Sequence, residues 1–265
     1  MKLKVFLLGG TKDSTDIIKH LKNNYDAYIL TTTTTEYGAE LAHKSGSDDT
    51  IAKPLPKDEI IEILKNNDFN LLIDATHPFA NHITETSVSV ADELKIPYIR
   101  FERPTTNFEN IDTSRIHNVK SFDDAGKLID KQFSKGNILH FAGANTMETI
   151  LKYVSCERFY PRILKVESSL EKCEKLGIDP SHIISMKGAA TTEENIELIE
   201  KTDATVMITK ESGDIGGVID KINAANEKDI AVIMIQRPEI KKLNKNDIVS
   251  NSEELDSKIK TFFKK

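Results

Sequence analysis

Short apolar runs alternate with amphipathic, charged stretches along the chain. The run Leu3–Leu8 is followed by a helical pattern over residues 14–23 and by a second apolar run over residues 27–31. Continuous apolar strands separated by helices are typical of a parallel sheet that is covered on both faces. The pattern therefore predicts an α/β protein.

The alternation continues to the last residues. Strands are predicted at residues 3–8, 27–31, near 51, 71–73, 97–101, 115–119, 137–141, 159–164, 182–185, 204–208 and 230–235. Helices are predicted at residues 14–23, 57–66, 81–94, 122–132, 168–176, 192–201, 215–226 and 252–264. One open sheet commonly holds about 4–6 strands. We therefore predict two doubly wound, Rossmann-like domains with largely parallel sheets and a cleft between them.

The segment Arg103–Ser114 suits a connector, because it is polar, contains Pro104 and lacks periodicity. We place an N-terminal Rossmann-like nucleotide-binding domain at residues 1–108 and a C-terminal Rossmann-like domain at residues 109–265. Ligands of doubly wound sheets bind outside the carboxyl ends of the strands. Candidate site residues are therefore expected in the loops at those ends.

Composition and charge indicate which kinds of binding partner the protein has. The chain has 265 residues, 38% of them apolar and 29% charged, as in an ordinary globular protein. Its formal charge of −6 argues against sequence-independent nucleic-acid binding. No apolar run approaches the roughly 18–20 residues that span a bilayer, and Val5–Leu8 is too short for a signal peptide. We expect a cytoplasmic protein without membrane or nucleic-acid partners, in which Cys156 and Cys173 are ordinary thiols.

The first loop of chemical interest is Gly9-Gly10-Thr11-Lys12-Asp13-Ser14, directly after the first strand. Two glycines let the backbone pass close to a phosphate, and the free amides at a helix start attract anions. Asp13 or Ser14 is expected to cap that helix. The loop does not match G-x-G-x-x-G, so a tight turn without a ligand is an equal alternative.

The second loop is the threonine run at residues 31–35, after the second strand. A Rossmann-like domain distinguishes the ribose end of a dinucleotide here, with an acidic residue for a free 2′-hydroxyl and an arginine for a 2′-phosphate. Hydroxyls bind either group, and β-branched threonines also simply extend a strand. The run therefore leaves NADPH and NADH both open.

The third loop, Asp74-Ala75-Thr76-His77-Pro78-Phe79-Ala80, follows the fourth strand. Asp74 and Thr76 are expected to bond backbone amides and cap the next helix, with Pro78 near its first turn. His77 is expected to face the carboxyl end of the strand, although a lone histidine is more often a structural group. His82 lies five residues further on, a spacing that points two helical side chains apart. No metal site is predicted.

The third loop, with the Gly-Gly-Thr loop, resembles the precorrin-6A and cobalt-precorrin-6A reductases of cobalamin (vitamin B12) biosynthesis. Further segments that match in order are Arg100–Pro104, Ala142–Asn145, Tyr160–Leu164, Lys187-Gly188, Thr192–Asn195, Thr209–Gly213, Lys221–Ala225 and Gln236–Pro238. The resemblance covers roughly residues 4–238. Three segments depart from it: Lys12-Asp13 replaces Gly-Glu, Gly143 is not followed by a basic residue, and Ala52–Leu55 replaces a glycine-rich segment.

The resemblance implies an NAD(P)H-dependent oxidoreductase that acts on a CH–CH bond. Hydride goes from NADPH or NADH to a ring carbon of (cobalt-)precorrin-6A, and a proton goes to its neighbour, which gives (cobalt-)precorrin-6B. The expected cofactor-binding residues are Gly9, Gly10, Thr11, Asp13, Ser14, Thr31, Thr32, Asp74, Thr76, Pro78, Phe79, Gly143, Lys210, Ser212 and Gly213. The expected partners of the anionic corrin precursor are Arg100, Arg103, Arg162, Lys187, Lys221 and Arg237, because cationic side chains pair strongly with carboxylates.

The proton donor is open. His77 is a candidate, since an unperturbed histidine pKa of about 6.5 lets it donate near neutrality, and an ordered water is an equal one. Two other functions share the same features: another two-domain nucleotide-dependent enzyme, and a clamp that binds a small anion without consuming NAD(P)H. We expect a monomer or a weak homo-oligomer. Whether the substrate carries cobalt is also open.

Overall fold

The computed structural model describes residues 2–186 and 188–263. Its strands are β1 (Leu3–Leu8), β2 (Ala27–Thr33), β3 (Asp49–Ala52), β4 (Leu71–Asp74), β5 (Tyr98–Phe101), β6 (Ile116–Val119), β7 (Asn137–His140), β8 (Phe159–Ile163), β9 (Ile184–Ser185), β10 (Ala204–Lys210), β11 (Ala231–Ile235) and β12 (Ile248–Val249). Its α-helices are α1 (Lys12–Asn24), α2 (Glu36–Lys44), α3 (Lys57–Asn66), α4 (Asn81–Leu94), α5 (Phe122–Gln132), α6 (Met147–Ile150), α7 (Glu167–Lys175), α8 (Thr192–Thr202), α9 (Val218–Glu227) and α10 (Ser252–Phe263). Within this described part, no helix is long and apolar enough to cross a membrane.

Within the described residues the strands form two six-stranded sheets, in the orders β12-β5-β4-β1-β2-β3 and β6-β11-β10-β7-β8-β9. The paired strands run parallel in both sheets. The prediction of two doubly wound, Rossmann-like α/β halves is confirmed. Both sheets have one underlying order, with β1 or β7 at the centre. The two sheets differ in the edge strand beside β5 or β11. In the first sheet this strand is β12, from the end of the chain, and in the second sheet it is β6, from the start of the second unit.

The chain divides into two compact units, Met1–Pro104 with Glu239–Lys265, and Thr105–Pro238. The predicted second domain at residues 109–265 is therefore wrong for its last segment. The physical reason is a backbone pairing: β12 joins the first sheet at its edge, with Ile248 opposite Arg100 and Val249 opposite Phe101. The chain thus passes between the units twice, at Pro104 and again at Pro238.

Helices cover both faces of the first sheet. One face packs Val5 and Leu7 of β1 against α1 and α10, and the other packs Phe6 and Leu8 against α3 and α4. Alternate residues of β1 thus enter opposite cores, as the period of two in a strand requires. The helical partners are Ile17, Ile18, Leu21, Leu255 and Ile259 on the first face, and Ile60, Leu64, Val88, Val90 and Ala91 on the second.

The second unit has its own core. Leu139 of β7 and Met207 of β10 pack with α8 and α9 through Ile199, Ala224 and Ala225. Further fully buried side chains come from α5 and α6, namely Ala125, Ile129, Met147 and Ile150. These cores hold the central strands rigidly, so the loops at their carboxyl ends have a fixed platform.

Most predicted elements occur within one or two residues of their expected limits, and the exceptions have local causes. Helix α2 escaped prediction because it buries only Ala39 and Ala42 and contains Gly38. Strand β12 is two residues long and exists through its pairing with β5. Helix α9 begins at Val218 and not at residue 215, because a short 3-10 turn and Gly217, with a φ of +65°, precede it.

Candidate functional site

Each sheet reverses its strand order once, between β1 and β4 in the first unit and between β7 and β10 in the second. The loops that follow these strands are the Gly9–Thr11 and Ala75–Ala80 loops, and the loops at Gly143 and at Glu211–Gly213. Ligands of doubly wound sheets bind at such reversals, outside the carboxyl ends of the strands. The loops that the sequence singles out therefore occupy the binding position of each unit's own fold.

The loop after β1 runs close to β2. The Gly9 amide donates to the Thr32 carbonyl at 2.8 Å, and a Cβ at position 9 would lie 2.9 Å from Thr31 Cγ2. Gly10 has a φ of +92°, which L side chains rarely adopt, and the nearest atom to a Cβ there would be Thr33 Cβ at 3.9 Å. The loop requires both glycines, and Gly10 faces open space of the kind that a phosphate needs.

Thr11 caps α1. Its Oγ1 accepts from the Ser14 amide at 3.1 Å, and Ser14 Oγ accepts from the Thr11 amide at 3.2 Å, which completes a capping box. The prediction that Asp13 or Ser14 is the N-cap is therefore wrong, because both lie inside the first turn and are buried. The Ser14 amide is taken by this cap, whereas the Lys12 and Asp13 amides lie in the part of the first turn where a helix offers no backbone acceptor, and such amides attract anions.

A cavity of about 540 Å³ opens at this edge of the first sheet. Of the predicted site residues it is lined by Gly9, Gly10, Thr11, Thr32, Thr76 and His77. The other lining residues were not among the predicted site residues, although Thr33, Thr34 and Ala80 lie in loops that the sequence singled out. They are Leu8, Thr33, Thr34, Lys53, Pro54, Leu55, Pro56, Ala80, His82 and Ile83. The segment at residues 53–56 follows the carboxyl end of β3, and that position was the signal available to find it.

Thr31 does not reach this cavity surface. Its side chain is fully buried, and its hydroxyl hydrogen bonds with Ser47 Oγ at 2.7 Å. The structure thus gives Thr31 an interior role in place of the predicted contact with a cofactor. Thr32, the next residue, takes the position on the cavity wall.

Asp74 and Arg100 form a buried ion pair, with Asp74 Oδ1 2.8 Å from Arg100 Nη1 and both side chains 0% exposed. Asp74 also accepts from the Thr76 amide at 2.9 Å, from Thr76 Oγ1 at 2.6 Å and from the Tyr98 hydroxyl at 3.2 Å. Burial and the Asp74 carboxylate raise the pKa of the Tyr98 phenol. Arg100 therefore braces the loop from inside, in place of the predicted contact with substrate.

The predicted capping of α4 by Asp74 and Thr76 is wrong. The helix begins at Asn81, and its N-cap, Ala80, makes no side-chain capping hydrogen bond. The Asp74 carboxylate is instead engaged by the ion pair with Arg100 and by Thr76. Pro78 is buried and Phe79 is half-buried in the loop that leads into the helix.

His77 lies on the cavity wall, with its Nδ1 3.2 Å from the Phe79 amide. Because Nδ1 accepts that hydrogen bond, the neutral ring carries its proton on Nε2. Across residues 2–186 and 188–263, no group of three His, Cys, Asp or Glu side chains is arranged to hold a metal ion.

Asp13 and Arg103 form a second buried ion pair, with Arg103 Nη2 2.5 Å from Asp13 Oδ2 and side-chain exposures of 8% for Asp13 and 10% for Arg103. Burial raises the pKa of Asp13, and the Arg103 charge opposes that rise. The sequence assigned Asp13 to the cofactor and Arg103 to the substrate. In the structure each is engaged by the other.

Three predicted cationic residues of the second unit lie in or near its interior. Lys221 on α9 is 4% exposed, and its Nζ donates to the Gly216 carbonyl at 2.7 Å. Arg162 on β8 donates to the Gly188 carbonyl, and its guanidinium lies 5.6 Å from the ring centre of Phe141. Burial lowers the pKa of Lys210, at the end of β10, to about 8.

These cations influence one another. Burial, with smaller contributions from the Arg162 and Lys210 charges, lowers the pKa of Lys221 to about 8. Burial also lowers the pKa of Arg162. A cluster that is costly to charge in this way has a positive field that favours an anion. Lys187, another of the six predicted substrate residues, lies outside the described residues.

The Glu211–Gly213 loop is held by its first residue. Glu211 is 3% exposed, pairs with Arg237, and accepts from the Gly213 amide at 3.1 Å. Arg237, predicted to bind substrate, is thus engaged by a carboxylate of its own unit. Ser212 is 6% exposed and lies beside these residues in the loop.

His140, which sequence reasoning did not single out, supports the turn at Gly143. Its ring is fully buried, with Nε2 2.8 Å from Thr146 Oγ1 and 3.3 Å from the Gly143 carbonyl. Burial lowers the pKa of His140 to about 3, so the ring is neutral. His140 is the polar last residue of the buried strand β7, and this position could have identified it from the sequence.

A glycine loop at one strand-order reversal, a strand that ends in Lys210 at the other and two parallel sheets define a two-unit α/β protein of the doubly wound, Rossmann-like class. The family model described as Precorrin-6x reductase CbiJ/CobK matches residues 4–259. The chain belongs to this family.

Individual relatives agree. The chain is 38% identical to the cobalt-precorrin-6A reductase of Methanothermobacter thermautotrophicus over 90% of its length and 78% of the relative. It is 36% identical to that of Methanocaldococcus jannaschii, over 90% of this chain and 92% of the relative. A solved structure of CobK precorrin-6A reductase covers 99% of this chain and 98% of its own, with a TM-score of 0.76 at 17% identity. That structural likeness shows the shared fold.

Proposed function

We propose that this protein reduces one double bond of cobalt-precorrin-6A with hydride from a nicotinamide cofactor. One hydride goes to a ring carbon and one proton to its neighbour, which gives cobalt-precorrin-6B and the oxidised cofactor. The names of the relatives support this substrate. The observation that carries the proposal is the cavity at the strand-order reversal of the first sheet, since doubly wound enzymes bind dinucleotides there. The cobalt belongs to the substrate.

The residues around this cavity fit a dinucleotide. A side chain at position 10 would enter the space in front of the loop, and the free amides at the start of α1 attract a phosphate. Thr32, Thr33 and Thr34 line the same cavity beside β2, and threonine is a residue whose hydroxyl suits a ribose. Bound cofactor supplies the hydride, and the protein orients it and binds the substrate.

We further propose that NADPH is preferred. Lys53 lies on the cavity wall together with the threonines that follow from β2, on the side where Rossmann-like folds recognise the ribose. Its exposed ammonium forms an ion pair with Glu59 at 2.8 Å, which leaves it within reach of solvent. A lysine favours a 2′-phosphate through its positive charge.

The cationic cluster of the second unit, Arg162, Lys210 and Lys221, is proposed to bind carboxylates of the tetrapyrrole. Its lowered pKa values support this role, because an anion would stabilise the charged forms that burial disfavours. His77 is proposed as the proton donor in its doubly protonated form, in which Nδ1 no longer accepts from the Phe79 amide. Cytoplasmic location and a monomeric or weakly associating state stay predictions.

The test is an anaerobic assay with purified protein, cobalt-precorrin-6A or its metal-free form, and NADPH or NADH. A gain of two hydrogens in the tetrapyrrole, matched by cofactor oxidation, is expected, and fastest with NADPH and the cobalt form. Oxidation of cofactor without tetrapyrrole reduction, or no reaction in any pairing, contradicts the proposed function. Equal rates with both cofactors contradict only the NADPH preference.

Gly10→Ala tests the cofactor site in the same assay. A matched control is Gly177→Ala, since Gly177 also has a positive φ, of +71°, with nothing within 4 Å of a Cβ. Both variants strain the backbone at a cost of about 1–3 kcal/mol. Only Gly10→Ala is expected to weaken NADPH binding, by about tenfold or more. Equal binding by the two variants would place the cofactor elsewhere.

A further inference from the structure

The two passages between the units share a sequence feature. The first occurs after Arg103-Pro104 and the second after Arg237-Pro238. Proline fixes its own φ and restrains the residue before it to extended conformations. Both connections are therefore stiff at the residues where the chain leaves one unit.

Each of these arginines pairs with a buried carboxylate from a candidate ligand loop. Arg103 pairs with Asp13, in the first turn of the helix that follows the glycine loop. Arg237 pairs with Glu211, the residue between Lys210 and Ser212. The same arrangement thus occurs once in each unit.

Glu211 also holds the other connection. Its Oε1 accepts from the Thr106 amide at 2.9 Å and from Thr106 Oγ1 at 3.0 Å, and the Thr106 side chain is buried. Thr106 is the second residue after the first passage, so one carboxylate binds both connections and, through the Gly213 amide, its own loop. The short segment 103–106 is anchored by Asp13 at one end and by Glu211 at the other.

We propose that Asp13 and Glu211 are positioning residues that couple the glycine loop of the first unit to the Glu211–Gly213 loop of the second through this segment. The ligand roles of the two loops rest on the proposed function, but the coupling does not. A segment of four residues with a proline and two buried anchors transmits displacement instead of absorbing it. Release of either anchor frees both loops.

Hydrogen–deuterium exchange on the ligand-free protein tests the coupling without any reaction. Asp13→Asn in the first unit is expected to raise exchange at residues 209–213 of the second unit at least several-fold. Glu211→Gln is expected to raise exchange at residues 11–15 in the same way. Changes confined to the unit that carries the substitution would overturn the proposal.

Two further variants keep this test informative. Glu200→Gln is the matched control, because Glu200 forms an exposed ion pair with Lys228 in the second unit, and it is expected to change neither loop. Thr106→Val removes one hydrogen bond to Glu211 and keeps the charge pair with Arg237. Thr106→Val replaces Glu211→Gln in the exchange experiment if Glu211→Gln does not fold. Unchanged exchange at residues 11–15 in Thr106→Val would count against the coupling.

A double-mutant cycle in kcat/KM then connects the coupling to catalysis. Each single variant, Asp13→Asn or Glu211→Gln, is expected to lower kcat/KM by about 10- to 100-fold, since a misplacement near 1 Å has effects of this size. The double variant is expected to lose little more than the worse single variant, because one release already frees the segment. Multiplicative losses would mean two independent structural ion pairs. A wild-type protein without reductase activity would refute the proposed function and leave the exchange result standing.

Discussion

At the scale of single residues, burial separates the side chains that can meet a ligand from those that hold the loops. His77, Thr32 and Gly10 lie on the cavity of the first unit. Asp74 and Arg100 are as polar, yet both are fully buried and form an ion pair with each other. Removal of one partner of such a pair costs about 3–5 kcal/mol, because a buried charge is left uncompensated.

His77→Asn is the prediction at this scale. Asparagine retains an acceptor for the Phe79 amide that now binds Nδ1, but it has no proton that it can give up near neutral pH. We expect kcat to fall about 100-fold or more, the usual contribution of general acid catalysis, with the Kd for NADPH nearly unchanged. Rapid-reaction kinetics measures both. His43→Asn on the exposed end of α2 is the control, and turnover within a few-fold of wild type would assign the proton to solvent.

At the scale of elements, the end of β10 and helix α9 bring cations into the second unit. Lys210 ends the strand, and Lys221 lies on the helix that follows, donating to the carbonyl of Gly216. Burial depresses the pKa of each lysine from 10.5 to about 8. Below about pH 8 the folded protein carries both charges at an energetic cost that the unfolded chain avoids.

The sign of the pH dependence follows from proton binding. Between about pH 8 and 10.5 the unfolded lysines hold protons that the folded ones have released, so rising pH favours the folded state at these positions. We expect the stability of wild type relative to Lys221→Met to rise across this window, by on the order of 3 kcal/mol. Urea unfolding at a series of pH values measures it. A pH-independent difference would mean that Lys221 titrates normally.

At the scale of the whole molecule, the last segment of the chain completes the first unit. Val249 of β12 and Leu255 and Ile259 of α10 are buried in the core that contains β1 and α1. Each such side chain contributes about 1.5–3 kcal/mol when buried. Their sum is comparable with the whole stability of a typical domain, about 5–15 kcal/mol.

A chain that ends at Pro238 tests this organisation. We expect the first unit to lose its cooperative unfolding transition while the second, Thr105–Pro238, retains its own. Limited proteolysis with mass spectrometry would show cleavage concentrated within residues 2–104. Loss of protection in residues 105–238 alone would contradict the assignment of the last segment to the first unit.

The sequence by itself determined the α/β class, most element limits and the loops of interest, because these depend on local periodicity and on glycine, proline and strand-end positions. Its motifs also identified the family. Tertiary structure alone decided that β12 joins the first sheet, since a two-residue strand exists only through its partner. It also decided that Asp13, Arg100, Arg103 and Arg237 pair with carboxylates or arginines distant in sequence. The sequence shows which residues are charged. Their burial and their pairing depend on which segments the fold brings together, and these segments are distant along the chain.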